Sequence, residues 1–182
     1  MGGQRKSLQR KLRRFGRARR GAAAVEFALV AVPFFLLVFG MAEISMIGFA
    51  QTSLNNAVSE TARQIRTGQA QKGGVSAGEI REMLCEELNA FISMECDGRL
   101  YLDVNRFDSF VTAGAAANPI QNGEFQDPGF GYTPGAPSDI VVVRAYYRWH
   151  IITPMFEGIL GNVSGGQRVL VSTMMFRNEP YL

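Results

Sequence analysis

The hydrophobic positions of the chain follow three patterns in turn, and the first is an unbroken apolar run. Residues 27–42 carry no formal charge, and between residues 21 and 50 the ionisable groups are Glu26 and Glu43. At about 1.5 Å per residue, a helix over residues 22–49 is roughly 42 Å long, whereas the hydrocarbon of a bilayer is roughly 30 Å thick. The run therefore predicts a helix that spans a membrane and emerges on its far side.

The second pattern is that of a helix with one buried face. Beyond the apolar run, small and apolar residues recur at steps of three and four, and polar residues fill the other positions. We therefore predict one long helix over residues 22–66, ended by Gly68 and by a turn at residues 71–74. Its predicted buried positions outside the membrane are Ile47, Ala50, Leu54, Ala57, Val58, Thr61, Ala62 and Ile65.

A second helix is predicted shortly after the first. Ser76 is followed three residues later by Glu79, which is the spacing of a capping box at a helix start. The apolar residues that follow at helical spacing form its predicted buried face, namely Ile80, Met83, Leu84, Leu88 and Phe91.

The third pattern has a period of two, which is typical of strands with one buried face. It predicts strands at residues 100–105, 139–152 and 166–177. Residues 112–137 are rich in Gly, Pro and Ala and are predicted to form a long loop, and residues 153–160 a short helix. On the middle strand the polar face is predicted to carry Arg144, Tyr146, Arg148 and His150.

Together these elements predict an α+β fold in three parts. Residues 1–21 form a basic cytoplasmic leader, residues 22–49 the transmembrane helix, and residues 50–182 an extracytoplasmic domain. In that domain the amphipathic half of the long helix covers the apolar face of an antiparallel sheet of three or four strands, beside the second helix.

The charge distribution orients the predicted span. Nine of the nineteen Lys and Arg lie in the first twenty residues, which contain no acid. The other ten bases face sixteen acids, so residues 21–182 carry a formal charge of −6. By the positive-inside rule the basic arm stays in the cytoplasm and the acidic remainder lies outside. Basic arms also bind nucleic acid or anionic lipid. The position of this basic arm beside an apolar span favours a role in setting the orientation of the span in the membrane, and no nucleic-acid partner is predicted.

Cys85 and Cys96 both fall in the part of the chain that is placed outside. An oxidising compartment favours a disulfide between them, which would contribute on the order of 2 to 3 kcal/mol by restricting the unfolded chain. Two buried thiols are the alternative. The bridge would join the second helix to the strand that follows it.

The sequence contains few candidates for catalysis or for metal binding. It has one histidine, His150, and no Cys and His cluster with the spacing of metal ligands. It also has no Gly-rich phosphate loop, GxSxG or HExxH motif, so neither a catalytic residue nor a cofactor is predicted. Asp103 and Asp108, which flank Arg106, are expected at a solvated strand edge. Arg144, Arg148 and His150 suit either a subunit contact, a solvated face or an anion site.

The start of the apolar run carries the most specific motif of the chain. Residues 19–30 read RRGAAAVEFALV, and residues 33–40 read PFFLLVFG. A glycine with a glutamate five residues beyond it resembles the processing site of class III or type IV prepilins. The longer string resembles the TadE-like family of tight-adherence (Flp) pilus assembly proteins. The resemblance is dense over residues 19–45 and weaker afterwards.

The resemblance implies a role for each residue of this motif. Gly21 would supply the carbonyl of the bond that a prepilin peptidase cuts, and Ala22 would become the new N-terminus. Glu26 would then meet the positive amine of a neighbouring subunit, so that two opposite charges compensate each other in a low-dielectric helix bundle. Pro33 removes one backbone donor in mid-span, and a kink is expected there.

The resemblance further implies a minor pilin or pseudopilin subunit of a tight-adherence type IV pilus. Such a protein is expected in the bacterial inner membrane, with its N-terminus in the cytoplasm and its domain in the periplasm. Its expected partners are prepilin peptidase, a related minor subunit, the inner-membrane assembly platform and membrane lipid. The filament of major pilin is a further candidate partner.

Two other interpretations stay open at this point. A secretory signal peptide needs an apolar core of about 7 to 15 residues and a small-x-small cleavage site, which residues 40–42 and 48–50 would supply. The sixteen-residue core and the early glutamate argue against it. The second is an uncleaved single-pass protein of the periplasm, whose loop at residues 112–137 binds a ligand or a wall component.

Overall fold

The computed structural model of the chain describes residues 19–89, 94–115, 117–127 and 130–181. The predicted α+β fold is confirmed: a long N-terminal helix is followed by short helices and a three-stranded antiparallel sheet. The basic arm up to residue 18 and the predicted buried Phe91 lie outside the described residues. The chain divides into two compact units, with the boundary between Ala42 and Glu43.

The helices and strands are numbered here in chain order. The helices are α1 Arg19–Arg66, α2 Gln69–Lys72, α3 Ala77–Asn89, α4 Phe110–Gly114 and α5 Glu157–Leu160, the last preceded by a 3-10 turn at Pro154–Phe156. The strands are β1 Leu100–Phe107, β2 Ile120–Gln121, β3 Glu124–Phe125, β4 Ile140–His150 and β5 Gln167–Arg177.

The outer half of α1 forms one side of the hydrophobic core. Seven of its eight predicted positions are buried, and Ile47 is partly buried against the same core. Gly68 ends the helix at a φ of 77°, a left-handed conformation that glycine adopts without steric cost. Gln71 and Lys72, which were predicted in a turn, instead belong to the single turn of α2. The helical period was therefore enough to identify the buried face.

Helix α3 packs beside β1 and begins as predicted. The Ser76 backbone N–H donates to Glu79 Oε2 at 2.7 Å, and the Glu79 N–H donates back to Ser76 Oγ at 3.3 Å. The first of these bonds lowers the pKa of Glu79, since it favours the charged carboxylate. Further along the helix, Cys85 forms a disulfide with Cys96, with their Cα atoms 6.1 Å apart. The bridge joins α3 to the segment that leads into β1.

The sheet has the strand order β1-β4-β5, and both strand pairs are antiparallel. One face packs against α1 and α3 and contributes Val141, Val143, Ala145, Tyr147 and Trp149 from β4 to the core. This is the face that the two-residue period predicted. β5 lies at one edge, where the Gln51 side chain donates to the Val171 carbonyl at 2.9 Å. The Asn162 side chain both donates to the carbonyl of Val169 and accepts from its N–H, at 3.1 and 2.7 Å.

The second face of the sheet is also covered, which corrects the prediction for residues 112–137. This stretch contains part of α4 and the small β2-β3 hairpin instead of being only a loop. Phe125 and Phe130 pack on Tyr146, with ring centroids 5.5 and 5.2 Å away. Tyr146 was assigned to a polar face but is only 2% exposed, and burial raises the pKa of its phenol. The stretch therefore serves as a second layer over the sheet.

Asp103 is buried, so the expectation of a solvated acid at this position is wrong. Asp103 is 1% exposed, and its carboxylate lies 2.8 Å from Arg144 Nη2 on the neighbouring strand. It also accepts hydrogen bonds from the Gly131 N–H at 3.1 Å and from the Asn105 side chain at 2.6 Å. Asp108, in contrast, is exposed as expected. The register pairs Asp103 with Arg144 across β1 and β4, which neutralises two charges that the sequence separates by 41 residues.

The basic side chains of β4 do not form an open stripe. Arg144 is neutralised by Asp103, and Arg148 donates to Gln167 Oε1 at 3.1 and 2.9 Å. His150 is exposed at the end of the strand. The sequence left open a subunit contact, a solvated face or an anion site. The structure instead gives both arginines an internal role, because each is bonded to a neighbouring strand.

Replacing Asp103 with Asn should destabilise the fold, because it leaves the Arg144 charge in a mostly buried position. We expect a loss of about 3 kcal/mol, at the low end for a broken buried pair since Arg144 keeps some contact with water. For a chain of this size that is a fall in Tm of roughly 6 to 12 °C. Thermal unfolding of the full chain in detergent, followed by near-ultraviolet circular dichroism, measures it. Asp108→Asn removes an exposed pair with Arg106 and is the control. Equal Tm values would contradict the assignment.

Candidate functional site

The predicted processing motif lies near the start of α1, within regular helix. Gly21 is partly buried, whereas residues 22–26 are exposed on the helix surface. Because a helix rises about 1.5 Å per residue, Glu26 lies roughly 6 Å along the axis from Ala22, a little over one turn away. Among the side chains that the structure describes, none forms a hydrogen bond or ion pair with Glu26. The motif is thus accessible to another protein.

The segment that follows the motif presents apolar side chains in all directions. Phe27 and Leu29 are each 71% exposed, and Val30, Val32, Leu37 and Met41 are more than 60% exposed. Leaving so many large apolar side chains in water is unfavourable by about 25 cal/mol per Å². Within the described residues this is the one helix long and apolar enough to cross a membrane. It is a single-pass membrane anchor near the N-terminus.

The motif, the apolar anchor and the amphipathic outer half all lie on helix α1. Residues 21–63 match the family model of the TadE-like protein. No curated protein and no solved structure matches the chain. The matched residues begin at the predicted scissile glycine, contain Glu26 and Pro33, and end within the buried outer half of α1. The TadE-like segment therefore points to a protein associated with the tight-adherence pilus.

Pro33 lies inside the TadE-like segment, and α1 is assigned as one helix through it. Proline has no N–H to donate to the carbonyl of Leu29, so one hydrogen bond of the ladder is missing at this level. The kink expected there stays a prediction. Cys85 and Cys96 follow this segment in the chain and are bonded to each other within the unit Glu43–Leu182, here called the extramembrane unit.

Glu43 is a functional candidate that the sequence did not single out. It is the first charged residue after the apolar run, and its side chain is buried. Its two carboxylate oxygens accept hydrogen bonds from the backbone N–H groups of Ile152 and Thr153 and from the Thr153 hydroxyl, all at 3.1 Å. These residues follow β4, so Glu43 fixes the helix to one end of the sheet. Its place at the end of the apolar run was the available signal, but the donors lie more than 100 residues away.

One cleft in the described part of the extramembrane unit does not offer a comparable set of free groups. The polar side chains of this cleft between the sheet and residues 117–126 include Asp103 and Arg144, which are already bonded to each other. Among the residues that the structure describes, no group of three or more His, Cys, Asp or Glu side chains is arranged to hold a metal ion. The accessible motif on α1 and the Glu43 contact are thus the two candidate sites.

Replacing Glu43 with Ala should release the segment after β4 and destabilise the extramembrane unit. The two backbone N–H groups would lose a charged acceptor, for a cost on the order of 2 to 4 kcal/mol. Hydrogen exchange of the full chain in detergent measures the effect locally, as lost protection at the amides of Ile152 and Thr153. Glu60→Ala removes an exposed carboxylate from the same helix and should leave these two amides unchanged. Unaltered exchange in the Glu43 variant would refute the contact.

Proposed function

We propose that this chain is a minor pilin or pseudopilin subunit required to assemble a tight-adherence type IV pilus. Prepilin peptidase would cut it after Gly21, and the remaining helix would carry the extramembrane domain into the assembly. The observation that carries this proposal is the match of residues 21–63 to the TadE-like family model, which begins at Gly21 and includes Glu26. The chemistry at Gly21 would be performed on this protein, and we propose no enzymatic activity for the chain itself.

The local structure supports cutting after Gly21. Ala22, Ala23 and Ala24 are exposed and small, so another protein can approach the backbone closely at this point. A cut here would remove the basic arm and leave a positive amine at the start of the apolar helix. The new terminus would be separated from Glu26 by about one helical turn.

The exposed carboxylate of Glu26 supports the assembly role. A lone carboxylate deep in a bilayer costs about 2.5 to 3.5 kcal/mol on insertion scales. A positive amine of a neighbouring helix would compensate this charge and so reduce the cost of placing it in lipid. The pairing of a new terminus with Glu26 of the next subunit would therefore align helices in one register.

The charge distribution supports the proposed orientation. A basic arm before the anchor favours a cytoplasmic N-terminus and a periplasmic domain in the bacterial inner membrane. In this orientation the partners would be prepilin peptidase, a related minor subunit, the inner-membrane assembly platform and the filament of major pilin. An oxidising periplasm would also suit the disulfide between Cys85 and Cys96.

Replacing Gly21 with Val should block processing without removing the protein from the membrane. A branched side chain would have to fit where the peptidase accepts a hydrogen atom, whereas the apolar anchor is unchanged. Mass spectrometry of the protein from cells that contain the peptidase should show Ala22 as the first residue in the wild type and the intact leader in the variant. Gly48→Val is the matched control on the same helix, since a Cβ at Gly48 would meet no atom within 4 Å other than its chain neighbours and the nearby backbone of the helix.

Replacing Glu26 with Gln should preserve insertion and cutting but reduce piliation. The amide has nearly the same shape and lacks the negative charge that would attract the amine of a neighbour. Counts of pili by electron microscopy, together with membrane fractionation, measure the two effects separately. Glu60→Gln, which removes an exposed charge from the outer half of α1, should leave piliation normal. Wild-type piliation by the Glu26 variant would falsify its assembly role.

A further inference from the structure

The extramembrane unit has a group of exposed apolar side chains at one end of the sheet. They lie in the segment of residues 152–159, which follows β4 and includes the 3-10 turn and part of α5. Ile152 is 59% exposed, Met155 is 65% exposed and Ile159 is 76% exposed. The acidic residue of the segment, Glu157, lies over Gly166 and is partly buried. The exposed surface of this segment is therefore mainly apolar.

This segment is fixed to α1 at the level of Glu43. The carboxylate binds the N–H groups of Ile152 and Thr153, so the segment starts beside the residue that ends the apolar run. The contact lies within the unit Glu43–Leu182, and Met155 and Ile159 follow Thr153 in the chain by two and six residues.

The same stretch of α1 keeps an apolar outer face of its own. Ile44 is 58% exposed, Met46 is 41% exposed and Phe49 is 59% exposed, whereas Glu43 and Ala50 are buried by the extramembrane unit. At about 1.5 Å per residue, residues 43–49 cover roughly 10 Å of the helix axis. Over this distance α1 has both an apolar outer face and a protein neighbour. The interfacial zone of a bilayer is of a similar thickness.

We propose that residues 152–159 form a membrane-contact segment, with Ile152, Met155 and Ile159 inserted into the interfacial zone of the bilayer that α1 crosses. The occupant of this apolar surface is lipid, because the segment is bonded to Glu43, the first charged residue of α1 after the apolar run. The inference rests on the membrane anchor and is independent of pilus assembly.

The hydrogen bonds of the segment suit this environment. Its polar backbone groups must be satisfied where water is scarce. The Phe156 N–H donates to the Thr153 carbonyl and the Gly161 N–H to the Glu157 carbonyl, both at 2.9 Å. Arg168 Nη1 donates to the Leu160 carbonyl, also at 2.9 Å. Glu43 itself has its carboxylate covered by three donors, so it can lie at the edge of the hydrocarbon at a reduced cost.

Spin labels on the full chain test this contact. Single variants Met155→Cys and Ile159→Cys would be labelled without reductant, which leaves the bridged Cys85 and Cys96 unlabelled. The protein would be reconstituted in vesicles of mixed phosphatidylcholine and phosphatidylglycerol. Power saturation then compares collisions with oxygen, which dissolves in lipid, and with a water-soluble nickel complex.

Two control positions make the result specific. Phe35→Cys lies in the apolar run and reports insertion of the anchor. Val111→Cys is 82% exposed and follows β1, at the end of the sheet away from Ile152. The eleven residues of β4 separate these ends by roughly 33 Å.

We expect the labels at Met155 and Ile159 to collide several-fold less with nickel and several-fold more with oxygen than the label at Val111. Nickel accessibility equal to that at Val111, with Phe35 in lipid, would overturn the contact while leaving the anchor intact. Protection of Met155 and Ile159 from both reagents would show a protein neighbour and also overturn it. A water-accessible Phe35 would overturn the anchor and the contact together.

Discussion

The structure depends on one helix that meets two environments. Through residues 27–42, α1 presents apolar side chains on every side, as lipid requires. From Ala50 onward the same helix buries one face in a protein core and exposes polar residues on the other. The change from lipid contacts to protein contacts cannot occur at a single residue, because α1 is one continuous helix. Glu43 marks it, since this carboxylate is bonded to the segment after β4 before the apolar outer face ends at Phe49.

The outer half of α1 packs on one face of the sheet, so another part of the chain must cover the opposite face. Here residues 117–127 and 130–132 contribute to that cover, and Phe125 and Phe130 pack on Tyr146. The pair of Asp103 and Arg144 lies on the same side, where it links β1 to β4. Buried pairs of this kind add little net stability compared with apolar residues of the same shape, but they are costly to break. The pair is therefore compatible with the register that places Asp103 opposite Arg144 across β1 and β4.

The helices and strands were predictable because their signals are local. A period of three to four identified the buried face of α1, a capping box identified the start of α3, and alternation identified the three strands of the sheet. Contacts between distant parts of the chain were not predictable in this way. Asp103 was assigned to water, since its partner depends on strand register, and Glu43 was passed over because its donors follow β4. Phe125 and Phe130, which lie in a stretch rich in Gly and Pro, were the available signal that part of this stretch covers a surface.

For the motif on α1, in contrast, the sequence is more informative than the structure. Gly21, Ala22 and Glu26 are recognisable from their spacing, and the structure adds that Ala22 and Glu26 are exposed about one helical turn apart. Their use depends on proteins beyond this chain, so the isolated fold contains little that would identify it. The family match to residues 21–63 provides the link between the motif and its use.

The edge of the sheet that β5 forms matters for a protein that would be concentrated in a membrane. An uncovered strand presents backbone groups that can pair with another chain and start aggregation. On β5 the side chains of Gln51 and Asn162 occupy such groups at Val171 and Val169. Two amides thus take the place of a missing fourth strand along the first half of this edge, and crowded copies have less opportunity to join their sheets by accident.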